Sequence, residues 1–351
     1  MQPGSHLFVD ISSHGFGHLA ITAPVLNALA DLVPGLRLTI RSGLPPAKLA
    51  QRIHVPYTLI PGSSDFGYVM HDATCIDLAA SAAAYRAAHA DWASRVAGEA
   101  TFLKSLAPDR LLTNVSYLPL AGAAHAGIPA YSLCSLNWAD LFAHFFGRES
   151  WAAPIHTEML AAYGSANAFL RVTPGMPMPS FAHRVDVGVI AARGQRHPLP
   201  GLAGRNVLIA MGGIAHRLPL EDWPRLPGVR WLIPAAWECG HPDAMAFESL
   251  GLGFTDLLAS VDAVITKPGY GTFTEAACNG TPVLFQRRED WPEQDYLIDW
   301  LENNGCCGEI SEQALTVGDL AAALETLCSQ PRVSVPACEG ALTAAQRIAL
   351  G

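Results

Sequence analysis

The chain is 351 residues long, half of them hydrophobic and 15% charged, with a formal net charge of -9 at pH 7. That length exceeds what one core comfortably supports and predicts two domains of ordinary size, while the apolar content excludes a disordered chain. The negative charge speaks against a surface built for nucleic acid or anionic lipid, so no extended polyanion is expected as a partner.

The first residues enter a strand pattern at 7–11 with no basic leader and no long apolar segment, so no signal peptide is expected. No apolar stretch reaches the length that spans a bilayer. Further strand patterns at 36–41, 57–60, 110–113 and 130–133 alternate with helical patterns at 20–32 and 77–106. The second helical pattern is long and lacks heptads, and it reads as a broken or paired helix. Alternation of this kind predicts an α/β fold of βαβ units with mainly parallel sheets.

The glycine- and proline-rich segment 193–204 has the composition of a linker. Beyond it the alternation restarts, with strands expected at 206–211, 229–233, 263–265 and 282–285 and helices at 271–279 and 292–304. The tail, 339–350, reads as a helix. The predicted division is therefore a first α/β domain at 1–192, a second at 205–336, and a C-terminal helix within 337–351 that can return to the first domain. The eight cysteines, Cys75, Cys134, Cys239, Cys278, Cys306, Cys307, Cys328 and Cys338, form no C-x-x-C pair and lie mostly in apolar runs. That usage suits reduced thiols in a cytoplasmic protein.

Between the first strand and the first helix stands His14-Gly15-Phe16-Gly17-His18. The segment matches G-x-G-x-x-A, which opens a dinucleotide reading. Gly15 begins three residues past the strand, however, and Arg41 stands where an acidic ribose ligand is expected; an arginine there suits the 2′-phosphate of NADP. A second reading gives His18 a role in proton transfer. At the first turn of a helix the macrodipole disfavours the imidazolium, which keeps a neutral base available to an acceptor hydroxyl. Gly15 and Gly17 would let a substrate approach the backbone. A third reading is a helix-start histidine bonded to a neighbouring carbonyl. His14 and His18 do not make a convincing metal pair, because the glycines between them argue against a helix that fixes both rings.

The second domain carries Thr266-Lys267-Pro268-Gly269-Tyr270-Gly271-Thr272-Phe273-Thr274-Glu275, where a strand runs into a Gly-x-Gly-Thr turn that opens a helix. Backbone N–H groups and the helix dipole face whatever sits there, and a diphosphate is the natural occupant. Thr272 adds a hydroxyl donor, and Glu275, one turn on, can accept from vicinal hydroxyls such as those of a ribose. After the next strand, Arg287-Arg288-Glu289-Asp290-Trp291-Pro292-Glu293-Gln294 lies at a strand's carboxyl end, where open α/β sheets bind ligands. Glu293 and Gln294 could read sugar hydroxyls, or could form an ordinary acidic helix turn.

Together these elements resemble the nucleotide-sugar glycosyltransferases of GT-B architecture, two Rossmann-like domains facing a central cleft, especially the UDP-glycosyltransferases and the peptidoglycan N-acetylglucosaminyl transferase group. The resemblance is strongest from Phe254 to Gly305. The pairing of His14-Gly15-Phe16-Gly17-His18 with Gly269-Tyr270-Gly271-Thr272 and Arg287-Arg288 is similar to the GT-B-like N-terminal region of plant arabinokinases. The resemblance implies that His18 is the catalytic base, that Gly269, Tyr270, Gly271 and Thr272 cradle the diphosphate, and that Glu275 binds the ribose. It implies further that Glu293 and Gln294 read the sugar, that the turn at Gly212 and Gly213 lies against the donor, and that Phe254 lies near the base. An aspartate often supports the histidine in such enzymes; here that position is Asn114. An amide orients the ring without the electrostatic support of a carboxylate, so either catalysis is weaker, another acid such as Asp140 substitutes, or the protein binds without catalysis.

The expected activity is inverting, metal-independent transfer of a sugar from a UDP- or TDP-linked donor to a hydroxyl of a small-molecule acceptor, with no cofactor beyond the nucleotide-sugar. A non-catalytic sensor and an NADP-dependent oxidoreductase are the alternatives. The run from Trp138 to Phe146, with Trp151, is aromatic enough for an apolar acceptor, although core packing accounts for such a run more often.

Overall fold

A computed structural model describes residues 1–199, 204–213 and 216–351. The predicted linker at 193–204 falls in part, at 200–203, outside the described residues. The chain divides into two compact units. The first comprises 1–71, 76–190 and 338–351, and the second 72–75 and 191–337.

The first unit runs β1 (His6–Ile11), α1 (Phe16–Leu32), β2 (Arg37–Ser42), α2 (Pro46–Arg52), β3 (Tyr57–Pro61), α3 (Leu78–His89), α4 (Trp92–Leu106), β4 (Arg110–Asn114), α5 (Leu118–Ala126), β5 (Ala130–Cys134), α6 (Trp138–Phe146), α7 (Ala152–Gly164), β6 (Ala168–Thr173) and β7 (Arg184–Val189). Its seven strands pair in the order β3-β2-β1-β4-β5-β6-β7, every pair parallel. Every residue of β1 and β5 is buried, the polar His6, Asp10 and Ser132 included, as in sheets covered on both faces. The long helical stretch is indeed two helices. It breaks at Ala90 and Asp91, where a short carboxylate side chain favours the start of a helix over its interior.

The second unit runs β8 (Arg205–Ile209), β9 (Val229–Ile233), β10 (Ala244–Ala246), α8 (Phe254–Ser260), β11 (Ala263–Thr266), α9 (Tyr270–Asn279), β12 (Val283–Phe285), α10 (Gln294–Asn304), β13 (Cys307–Glu309), α11 (Glu312–Val317) and α12 (Ala321–Ser329). Its sheet has the order β10-β9-β8-β11-β12-β13, again parallel throughout. On one face Trp223 meets Trp231 edge to face at 5.1 Å inside a cluster that includes Leu218, Leu220, Ile265 and Leu324. The last helix, α13 (Gly340–Leu350), belongs to the first unit and packs on α1, β6 and β7.

Several boundaries differ from the sequence expectation. The first helix starts at Phe16 rather than 20, so Gly17 and His18 lie inside its first turn. β8 ends at Ile209, which leaves Met211 and Gly212 in the turn that follows. Strands β6 and β7 were not expected. Each is broken by polar residues, and Arg171 of β6 grips Asp186 of β7 with Nε and Nη2 at 2.6 and 2.8 Å, a cross-strand pairing that no local pattern displays.

Candidate functional site

In both units the strand order reverses beside the first strand, between β1 and β4 in one sheet and between β8 and β11 in the other. Loops leaving the carboxyl ends of strands at such a reversal diverge to opposite faces and open a crevice, which is where open α/β sheets hold ligands. Four of the segments singled out from sequence leave these strands. They are the His14–His18 loop after β1, Asn114 at the end of β4, Met211–Gly213 after β8 and the Lys267–Thr272 turn after β11.

In the first unit His18 is 7% exposed and Asn114 fully buried. The His18 Nδ1 and the Asn114 Oδ1 are 2.9 Å apart, and the Asn114 Nδ2 donates to the His18 carbonyl at 3.3 Å. A carbonyl only accepts, so the amide nitrogen must face it, and the amide oxygen then accepts from Nδ1–H. This places the ring proton on Nδ1 and makes Nε2 the basic atom. Thr22 Oγ1 donates to the same carbonyl at 2.8 Å. The helix begins at Gly15 with no side-chain cap, so its positive end stands beside the ring.

Trp138 lies edge-on to both histidines, 5.3 Å from His14 and 5.9 Å from His18. Its Nε1–H donates to Asp65 Oδ2 at 2.8 Å. Burial, followed by the nearby Asp10 carboxylate, pushes the Asp65 carboxyl up to about 6. Gly67, at φ +61, is held so close that a Cβ there would stand 2.8 Å from the His14 ring, so only glycine fits the turn. Neither Asp65 nor Gly67 was singled out from sequence, because nothing in the local pattern of the 62–70 loop ties it to His14.

Asp140 does not stand behind His18. It is tied to Asn137, the N-cap of α6, whose Oδ1 accepts from Asp140 N–H at 2.8 Å while its Nδ2 donates to Asp140 Oδ2 at 2.9 Å. The place left open to it is filled by Asn114. Arg41 is also committed elsewhere. Its Nε meets Asp10 at 2.5 Å, its terminal nitrogens fork Glu99 at 2.6 and 3.1 Å, and the side chain is 12% exposed beside the rings of Phe8 and Phe102. A guanidinium neutralised by two carboxylates has little attraction left for a 2′-phosphate, which removes the anchor of the NADP reading. The aromatic run of α6 is largely core, with Trp138, Phe142 and Phe146 all buried.

In the second unit α9 follows Gly269, which brings no capping side chain to the start of the helix. Gly269 and Thr272 are half-buried, Tyr270 and Gly271 buried, and Glu275 is 1% exposed. Phe254 opens α8, which packs on α9. After β12, Gln294 clips the loop: Arg288 N–H donates to its Oε1 at 2.9 Å and its Nε2 donates back to the Arg288 carbonyl at 3.1 Å. Glu293 Oε2 accepts from Trp291 Nε1 at 3.1 Å. Gln294 thus shapes the turn and keeps one amide N–H for other partners.

Two cations join this group. Lys267 lies between β11 and the helix turn, with Nζ 3.7 Å from where a side chain at Gly212 would begin. Burial and then the charge of Arg288 push its ammonium down to about 7. The guanidinium of Arg288 lies 3.9 Å over the Trp291 ring, and burial pushes it down to about 10.

No protein-family model matches the chain. It is 26% identical over 330 residues, 91% of its length, to the L-arabinokinase of Arabidopsis thaliana, of which it spans 32%. Among solved structures it superimposes on the kitacinnamycin glycotransferase with a TM-score of 0.64 at 16% identity, over 98% of this chain and 94% of that one. On the S. aureus MnaA–UDP complex the TM-score is 0.60 at 11% identity, over 98% and 95%. The fold is the GT-B fold, built from two Rossmann-like α/β units.

Proposed function

We propose that the protein transfers a sugar from a UDP- or TDP-linked donor to a hydroxyl of a small-molecule acceptor. The observation that carries the reading is the clamp of Asn114 on His18, which holds the ring proton on Nδ1 and presents Nε2 as a base at the reversal point of the first sheet. What supports the donor is the uncapped start of α9 with Glu275 one turn on, together with the UDP complex of the similar S. aureus protein.

In this reading the acceptor oxygen attacks the anomeric carbon from the face opposite the diphosphate. Its proton passes to His18 Nε2, the bond from the anomeric carbon to the diphosphate oxygen breaks, and the nucleotide diphosphate leaves with the bonding pair. The configuration inverts. Backbone N–H groups at Gly271 and Thr272 meet the charge that develops on the leaving group, so the chemistry calls for no divalent ion and no cofactor beyond the donor. Glu293 and the remaining N–H of Gln294 face sugar hydroxyls, and Gly212 with Gly213 borders the donor.

Incubation with UDP- and TDP-sugars and a panel of hydroxyl acceptors, with nucleotide diphosphate release as the readout, tests this. Acceptor-dependent release is expected; stabilisation by NADP with no release from any donor would sink it. A second reading rests on Asn114 itself. An amide lends the imidazolium no charge, so a protein that binds the donor without turning it over, a sensor or accessory module, fits the same site. Donor binding by calorimetry without transfer or hydrolysis would select it.

A further inference from the structure

Arg288 has no part in the transfer step. It is 8% exposed, and its Nε and Nη2, both buried, have no hydrogen-bond partner among the described residues. A guanidinium does not shed its charge, and leaving buried charged donors unmet is costly. The side chain is nonetheless held firmly. Its face stacks on Trp291 at 3.9 Å and its backbone is clipped on both sides by Gln294. Stacking on one face leaves the edge that carries Nε and Nη2 as a coplanar fork, the geometry that grips two oxygens of one anion.

Lys267 is the second cation of the same cluster. Strands β11 and β12 are parallel neighbours, with Thr266 paired to Phe285 and Gln286 N–H donating to the Thr266 carbonyl at 3.1 Å. Lys267 and Arg288 therefore leave adjacent strand ends on the same edge of the sheet. The Lys267 ammonium stands against the bare backbone of Gly212, whose φ of +95 excludes other residues. Two residues after Lys267 the uncapped start of α9 adds the positive end of a helix. Against these charges stand Glu293, one of whose oxygens already accepts from Trp291, and the carboxylate of Asp72. Neither of these carboxylates meets the fork, whose Nε and Nη2 stay unbonded among the described residues, and a diphosphate carries the paired anionic oxygens that fit it.

We infer that Arg288 and Lys267 form a two-cation seat for the diphosphate of the ligand, with Arg288 forking two of its oxygens and Lys267 placed between it and the N–H groups of α9. The seat deepens the nucleotide-sugar reading and rests on it for the identity of the whole ligand. Its own chemistry, recognition of a diphosphate, is testable apart.

The test is calorimetry on the full chain with inorganic pyrophosphate, UDP, TDP and uridine, on the parent protein and on Arg288→Met, Arg288→Lys and Lys267→Met, with the melting temperature of each unliganded variant. Arg288→Met is expected to weaken pyrophosphate and nucleotide diphosphate binding about 10- to 100-fold. Arg288→Lys should recover part of the loss, and uridine should be unaffected. Because the substitution removes an unmet buried charge, the unliganded variant should melt at or above the parent temperature. If Arg288→Met binds pyrophosphate and nucleotides as the parent does, the seat is wrong and the nucleotide reading stands; the same holds if it melts lower and keeps its affinity. If pyrophosphate binds in an Arg288-dependent way but neither nucleotide does, the seat stands and the nucleotide-sugar reading falls. Absence of all binding overturns both.

Discussion

At the scale of single residues the proposed chemistry turns on one imidazole nitrogen. His18→Ala should lower turnover about 10²- to 10⁴-fold, the range for loss of a positioned general base. Affinity for UDP or TDP should be nearly unchanged, since His18 belongs to the first unit and the turn proposed to hold the diphosphate to the second. Loss of nucleotide affinity with turnover intact at saturating donor would return the first glycine loop to a nucleotide-binding role. Asn114→Asp provides the companion measurement: a carboxylate behind Nδ1–H stabilises the imidazolium, so turnover should hold or rise and its pH profile should shift.

Asp65 makes a separate prediction on stability. Its carboxyl is raised to about 6 in the folded protein against 3.8 for the unfolded chain. Between those values the native state holds a proton that the unfolded state has lost, so stability falls as pH rises through the window and stays lowered above it. Asp65→Asn keeps an acceptor for Trp138 Nε1 and removes the titration. Denaturant unfolding should find the variant more stable than the parent by up to about 3 kcal/mol at pH 7 and level with it near pH 3.5. A parent protein whose stability does not change between pH 4 and 6 would refute the assignment.

At the scale of elements, the fold places its side chains by how helices start. α6 begins with the Asn137 cap, bonded twice to Asp140, and this sets Trp138 against both histidines. Asn137→Ala should cost about 0.5–2 kcal/mol, the range for a lost N-cap, read as a lowered melting temperature. Because Trp138 would lose its anchor point, turnover should fall further than donor affinity. α1 and α9 behave oppositely. Each starts after a glycine with no capping side chain, and a helix start of this kind suits an anion, in α9 the diphosphate of the proposed donor.

At the scale of the molecule, the last helix is a structural part of the first unit. Ala344, Ala345 and Ile348 of α13 are fully buried against it, Arg110 donates to the Ile348 carbonyl, and the N-terminal ammonium donates to that of Ala349. Ile348→Ala should therefore cost about 2–5 kcal/mol, the usual range for truncating a fully buried isoleucine. Thermal unfolding of the full chain checks this, and a change below about 1 kcal/mol would show that the helix does not contribute to the stability of the unit.

The strand periodicity, the glycine turns and the division into two α/β halves were legible in the sequence because each depends on residues within a few positions of one another. The βαβ alternation sets a parallel sheet, and Gly269-Tyr270-Gly271-Thr272 opens a helix whatever packs around it. Only the tertiary structure decided what each polar group faces. Asn114 and His18 are 96 positions apart, and their pairing follows from β4 lying beside β1 in the sheet. Arg41, a plausible phosphate ligand by position, was claimed by Asp10 and by Glu99 from a helix 58 positions away. Lys267 and Arg288 read locally as an ordinary loop lysine and half of a basic pair. Burial set them apart, since a charge shielded from water by the fold must find its counter-charge in the protein or in a ligand.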